Sequence, residues 1–365
     1  MPRGMSRFAA ELPPVDDFVE LGAGDTPLLE LTTLARQLGI ERLSAKMESQ
    51  NPTGSYKDRV AAMSMSLALD RGNPGWIATS SGNAGLAMAA YGVRARLPGF
   101  LCLVASAPPE KRLPLAPYGI GVVAVDGVGR QSKSNSDKDL LEQVRAAADR
   151  FDLYLGVTAH AYNPDGMRGI DTLAYELAEQ APTMSHVYVP TGGGGLLTAI
   201  ARGLARRTMP TKVIACQPTG CAPIVEFLRQ EIPEPQVPAC HCDISALQIP
   251  QPPDGIVAAL AVKSSDGWGT AADDDAILAA QQLLAETEGI FVEPASAASL
   301  ASLVRDIAED RVGAGDHPVL VLSGAGWKDL GRMAERADKF PLVELKRVSE
   351  EIEGWFGTLR QRASR

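Results

Sequence analysis

Basic runs are absent from this sequence and its formal charge is -9, so no surface is laid out for nucleic acid. Unbroken apolar stretches are absent too. Gly, Pro or a charge interrupts each one, which excludes a membrane-spanning helix. The opening Met1-Pro2-Arg3-Gly4-Met5-Ser6-Arg7 has no apolar signal core. Cysteine is scarce. Cys102, Cys216, Cys221, Cys240 and Cys242 form an odd set at irregular spacing, which does not read as a disulfide framework. Buried or loop thiols in a reducing cytoplasm are expected. Cys240-His241-Cys242 has no second Cys/His cluster at ligand spacing, and adjacent ligands do not readily share a tetrahedral ion, so no metal is expected. Internal repeats and low-complexity tails are missing, and no regulatory domain is expected after the core.

What is present is an ordinary globular composition, 45% hydrophobic and 22% charged over 365 residues, enough for two domains or one large core. Short apolar runs alternate with amphipathic stretches. Strands are expected at 76–79, 100–105, 121–125, 153–157, 186–190, 212–217 and 318–322. Helices are expected through Leu67, at 82–94, 110–118, 137–150 and 166–179, from Leu196, and at 273–286, 295–308 and 345–359. The Pro-rich segment 231–266 reads as a long functional loop with one or two short strands. Such alternation means parallel sheets covered by helices on both faces, with ligands at the carboxyl ends of strands.

Five motifs occupy such ends. In Asn51-Pro52-Thr53-Gly54-Ser55-Tyr56-Lys57-Asp58-Arg59, Asn-Pro and Thr-Gly force a turn and Ser55 is placed to cap a helix. Lys57 then stands inside the helix start, where the macrodipole disfavours an ammonium and favours the free amine that Schiff-base chemistry needs. Ser80-Ser81-Gly82-Asn83 precedes a second helix and suits a carboxylate at its N-terminus. Gly192-Gly193-Gly194-Gly195 costs backbone entropy and lets several N–H groups converge on a phosphate. It is neither a dinucleotide fingerprint, since Leu197 replaces the last glycine, nor a nucleotide P-loop, since no Lys-Ser/Thr follows. Ser323 begins Ser323-Gly324-Ala325-Gly326-Trp327-Lys328-Asp329, and Glu293 begins Glu293-Pro294-Ala295-Ser296, a helix start with Pro in its first turn.

In this order, the five motifs resemble the fold-type II pyridoxal-phosphate (PLP) enzymes, the tryptophan synthase β superfamily, and most closely threonine synthase. The resemblance runs from Gly22 to Asp329. It implies an α/β fold of two three-layer α/β/α domains with mainly parallel sheets. Residues 1–80 and 159–365 would form a large PLP-binding domain, and 81–158 a small mobile one. The cofactor implied is pyridoxal 5′-phosphate: Lys57 would carry it, Tyr56 lie against its ring, Asn83 bind its 3′-oxygen, and Gly192, Gly193, Gly194 and Gly195 its phosphate. Ser323 would face the pyridine nitrogen. A hydroxyl there leaves the ring neutral, which favours elimination over transamination. Ser80, Ser81, Gly82 and Asn83 would hold the substrate carboxylate, and Arg168 a substrate anion.

The reaction implied is α-proton removal by Lys57 and loss of a β- or γ-substituent from a small-molecule amino acid. Water addition would then make a threonine synthase. Release as a 2-oxo acid would make a threonine/serine dehydratase, and another nucleophile a β-replacement synthase. A non-catalytic PLP-binding protein is the alternative of another class, and a nicotinamide oxidoreductase lacks its fingerprint. Two departures stand out: Ala84-Gly85 replaces the hydroxyl residues common in threonine synthases, and the tetraglycine is dehydratase-like. A cytoplasmic homodimer is implied, with the apolar side of 345–359 as a candidate surface.

Overall fold

The computed structural model describes residues 3–80, 82–105, 109–128, 136–331, 333–334 and 340–363. They fall into two compact units, Met1–Asp329 and Leu330–Arg365. In the first unit, strands β1 (Leu28–Glu30), β2 (Ser44–Lys46), β7 (His186–Pro190), β8 (Lys212–Pro218), β9 (Gly269–Ala272) and β10 (Pro318–Val321) make a six-stranded sheet ordered β1-β2-β10-β7-β8-β9. Strands β3 (Trp76–Thr79), β4 (Gly99–Val104), β5 (Gly121–Val125) and β6 (Tyr154–Leu155) make a four-stranded sheet ordered β5-β4-β3-β6. Every pairing is parallel except β1 with β2.

The helices are α1 (Thr32–Leu38), α2 (Lys57–Asp70), α3 (Asn83–Arg94), α4 (Pro109–Arg112), α5 (Ser136–Phe151), α6 (Asp171–Gln180), α7 (Gly195–Arg206), α8 (Pro223–Leu228), α9 (Gly255–Ser264), α10 (Asp274–Glu288) and α11 (Pro294–Ala308). Period-2 alternation sorts the strand residues between layers. Val187, Val189, Val213 and Val319 join a core with α2, α3, α6 and α7. Tyr188, Ile214 and Leu320, one residue along, join another with α10 and α11. In the smaller sheet Ala78 and Leu101 face α3 in the first core, while Ile77 and Cys102 face Leu140, Val144 and Ala148 of α5. The layers are helix, sheet, helix around both sheets. Among the described residues no helix is long and apolar enough to cross a membrane.

Several expectations need correction. Strand β3 pairs with β4 and β6, so the smaller sheet begins at Trp76, not after residue 80. The helix expected at 110–118 is α4 followed by the 3-10 turn Leu113–Tyr118, because Pro114 and Pro117 each remove a helix donor. The helix expected at 166–179 opens as a 3-10 turn, Gly166–Ile170. There Gly169 packs on α2 so closely that a Cβ would lie 2.1 Å from Arg59 O. The 231–266 loop contains no strand among its described residues and ends in α9. Cys221 and Cys240 are joined as a disulfide, not kept as thiols; His241 N donates to Gly220 O at 2.7 Å, which brings the two neighbours side by side. Cys102, Cys216 and Cys242 are buried thiols. In the second unit the terminal helix runs Val348–Ala363 after a 3-10 turn at Leu345–Arg347.

Candidate active site

The turn before Lys57 is clamped to the loop after β10. Tyr56 N donates to Ser323 O at 3.1 Å, Ala325 N donates to Gly54 O at 2.9 Å, and Ser55 bridges Gly324 in antiparallel fashion. Gly54 has φ +82, and a Cβ there would lie 2.7 Å from Trp327 Cζ2, so glycine is required by conformation and by space. The Asp58 carboxylate accepts from Thr53 N at 2.9 Å and from Thr53 Oγ1 at 2.7 Å, which ties the turn to the first turn of α2. Ser55 does not cap α2. The extended bridge to Gly324 holds its backbone outside the helix, and its hydroxyl is buried without a partner. Lys57, half-buried, opens the helix. Its Nζ donates to Thr158 Oγ1 at 2.9 Å and lies 4.5 Å from the Tyr56 ring centroid.

At the end of β3, Ser80 Oγ accepts from Gly82 N at 3.3 Å, and Asn83 is the first residue of α3. Asn83 Nδ2 donates to Glu293 Oε1 at 3.0 Å and to Oε2 at 3.1 Å. Both oxygens share one edge of the amide, leaving donor and acceptor capacity on Asn83 for a ligand. Ser81 lies outside the described residues.

At the end of β7 the tetraglycine enters α7. Thr198 is the first residue to close the helix ladder, donating to Gly194 O at 3.0 Å, so the preceding N–H groups have no intrahelical acceptor. The turn is also packed from outside. Gly194 has φ +90 with Asp254 O 2.9 Å from where a Cβ would sit, and Gly192 has Ala246 O at 3.1 Å.

Asp254 is a residue the sequence reading passed over. Buried, it donates through its N–H to Gly193 O at 3.0 Å. Its carboxylate accepts from His160 N at 2.8 Å and Ala161 N at 3.1 Å, which fixes the segment carrying Thr158. His160 is 3.2 Å from Gly195 O through Nε2. Burial first, then Arg202, pushes the His160 pKa down, which favours a neutral ring donating Nε2–H to that carbonyl. The only sequence signal for Asp254 was an Asp just before an apolar run, which reads as a simple helix start.

After β10, Ser323 is buried with Oγ 3.1 Å from Ser296 Oγ, and Ser296 Oγ accepts from Gly324 N at 2.8 Å. Glu293, at the start of α11, is buried against this loop, where a Cβ on Gly324 would meet Oε1 at 2.1 Å. Burial pushes its carboxyl pKa up, against the lowering effect of Lys328, Lys111 and Asn83.

Arg168 does not join the cleft. It donates to Asp171 Oδ2 at 2.6 Å and Glu11 O at 3.3 Å, and it lines an open groove of about 700 Å³ with Asp70 and Arg71. Those two mark the far end of α2, roughly 20 Å from Lys57 by helical rise.

Pyridoxal phosphate fits these groups. A cleft amine held by a hydroxyl suits the aldehyde, and a glycine turn where Cβ atoms would intrude suits a phosphate. Ser323 offers the ring nitrogen a neutral partner, and Asn83 has an unspent amide edge. Two mainly parallel sheets with such groups at their carboxyl ends define a PLP enzyme of fold-type II.

The family model described as pyridoxal-phosphate dependent enzyme matches residues 19–324, and the chain belongs to that family. Threonine synthase from Halalkalibacterium halodurans is 33% identical over 358 residues, covering 93% of this chain and 94% of that protein. Threonine synthase from Methanocaldococcus jannaschii is 33% identical, covering 96% and 88%. Among solved structures, maize serine racemase superposes with a TM-score of 0.71 at 22% identity, covering 86% of this chain and 93% of that one. The processed form of threonine deaminase isoform 2 from Solanum lycopersicum gives 0.71 at 18% identity, covering 97% and 90%.

Proposed function

We propose that the chain is a threonine synthase that converts O-phosphohomoserine and water into threonine and phosphate. The observation that carries this reading is similarity to threonine synthases along nearly the full length of both chains. When bound, pyridoxal phosphate supplies an electron sink that stabilises negative charge at the substrate α-carbon. Lys57 would hold it by its amine, Gly192 to Gly195 by the phosphate, Asn83 by the phenolic oxygen and Ser323 at the ring nitrogen, with Tyr56 against the ring. Ser323 bonds the Ser296 hydroxyl, and a hydroxyl partner would leave the ring nitrogen unprotonated.

Ser80, Ser81 and Gly82, with the α3 N-terminus at Asn83, would hold the substrate carboxylate. The Lys57 amine would take the α-proton, aimed by Thr158 Oγ1, which accepts from it. The segment from Trp76 to residue 158 is the part that would move. We place the enzyme in the cytoplasm as a homodimer, with Val348, Ile352, Trp355 and Phe356, exposed along one side of the terminal helix, as a candidate contact.

The test is purified chain loaded with PLP. A visible band from lysine-bound cofactor should vanish in Lys57→Ala, with turnover falling on the order of 10³-fold or more. Threonine and phosphate from O-phosphohomoserine support the reading. A 2-oxo acid from threonine or serine, the activity class of a dehydratase, would replace it.

A further inference from the structure

The site holds two ammonium groups that the reaction outlined above does not use. Lys111, on α4, donates from Nζ to Ser245 Oγ at 2.5 Å, and Ser245 Oγ in turn donates to Asp329 Oδ2 at 3.3 Å. Among the described residues its hydrogen-bond partner is a hydroxyl, not a carboxylate. Lys328 is 4% exposed, and its Nζ is buried with no hydrogen-bond partner. Among the described residues neither lysine is paired with a carboxylate. Isolated ammonium groups away from water are costly, and burial pushes Lys328 down to about 8. Glu293 experiences the charge of both lysines, and Glu293 is the residue that grips Asn83. The two cations therefore stand near Glu293 and Asn83, beside the loop expected to hold the α-carboxylate. Arg168, the other cation suggested for an anion, is spent on Asp171.

We propose that Lys111, backed by the buried charge of Lys328, receives the phosphate of a phosphorylated amino-acid substrate beside Asn83. The inference rests on the threonine synthase reading for the identity of that substrate, and names the residues that would select it. A phosphate dianion outcompetes the Ser245 hydroxyl for Lys111, because it brings an opposite charge to the ammonium where the hydroxyl offers only a dipole. Ser245 and Asp329 then serve as the resting place of Lys111.

The experiment uses holoenzyme, wild type against Lys111→Met, with Lys328→Met as a second variant. Inorganic phosphate is titrated by calorimetry, and KM and kcat are measured with O-phosphohomoserine. Loss of one charge-assisted bond predicts phosphate binding weakened by about 10- to 100-fold in Lys111→Met. KM should rise more than kcat falls, and Lys111→Arg should recover part of the loss. Unchanged phosphate binding and KM in Lys111→Met would overturn the inference while leaving threonine synthesis intact. If the wild type makes no threonine but Lys111→Met still loses phosphate binding, the anion site stands and the substrate reading falls.

Discussion

The two sheets use one device, a strand running into a glycine turn and a helix N-terminus, in unlike surroundings. Strands β7, β9 and β10 of the larger sheet are buried at every position, whereas in β5 of the smaller sheet all but Val125 are exposed. The tetraglycine on the larger sheet is packed from outside by Asp254 and Ala246. Gly82 on the smaller sheet has nothing among the described residues within 4 Å of where a Cβ would sit. Regions with few buried apolar contacts open at lower free energy than buried core strands. The difference supports the proposed division of parts: a stiff sheet for a group that stays, and a thinly covered one for a group that arrives and leaves.

Val189 and Val123 give the largest contrast. Val189 is 0% exposed and Val123 41% exposed. Val189→Asp buries an unpaired charge and should cost about 4 kcal/mol or more. Val123→Asp should stay within about 0.5 kcal/mol of wild type. Urea midpoints measure both, and equal effects would erase the distinction between the sheets.

The larger sheet should also fail first in acid. Burial alone would push Glu176 up, but Arg59, at 2.7 Å, and Lys46, at 2.5 Å, outweigh it and hold its pKa at about 2. A carboxyl whose folded pKa lies below its unfolded value stabilises fully above the unfolded value, near 4.5. That stability disappears as pH falls towards 2, a loss on the order of 3 kcal/mol. Urea unfolding at pH 7, 4 and 3 should show it, and Glu176→Gln should flatten the profile from a lower starting stability.

The smallest effect separates the two glycine turns. Gly194→Ala forces a side chain into a left-handed backbone against Asp254 O and should cost about 1–3 kcal/mol, with weaker cofactor binding. Gly82→Ala should cost roughly 1 kcal/mol or less, since only the helix-cap preference changes. Paired melts of the cofactor-free and loaded protein read both.

Much of this fold was legible in local pattern. The strands Trp76–Thr79, Gly121–Val125 and His186–Pro190 coincide with their expected ranges, because a short apolar run between turn residues has one good solution. Helix α9 was missed. Ile256, Val257 and Leu260 are exposed while Ala258, Ala259 and Val262 are buried, so hydrophobicity shows no 3.6 period against a Pro-rich flank. Strand β9, Gly-Thr-Ala-Ala, has one β-branched residue, and only its place beside β8 makes it a strand.

Local order and residue type alone determined the motif series, the parallel α/β class, the lysine at a helix start and the glycine turn between strand and helix. These depend on spacing along the chain. Tertiary structure decided the rest: that Asn83 meets Glu293 across 210 residues, that Asp254 locks the glycine turn, that Cys221 finds Cys240, that Ser55 is held out of its cap, and that Arg168 turns away while Lys111 and Lys328 converge. Each depends on which surfaces pack together, and a long-range contact has no period to announce it.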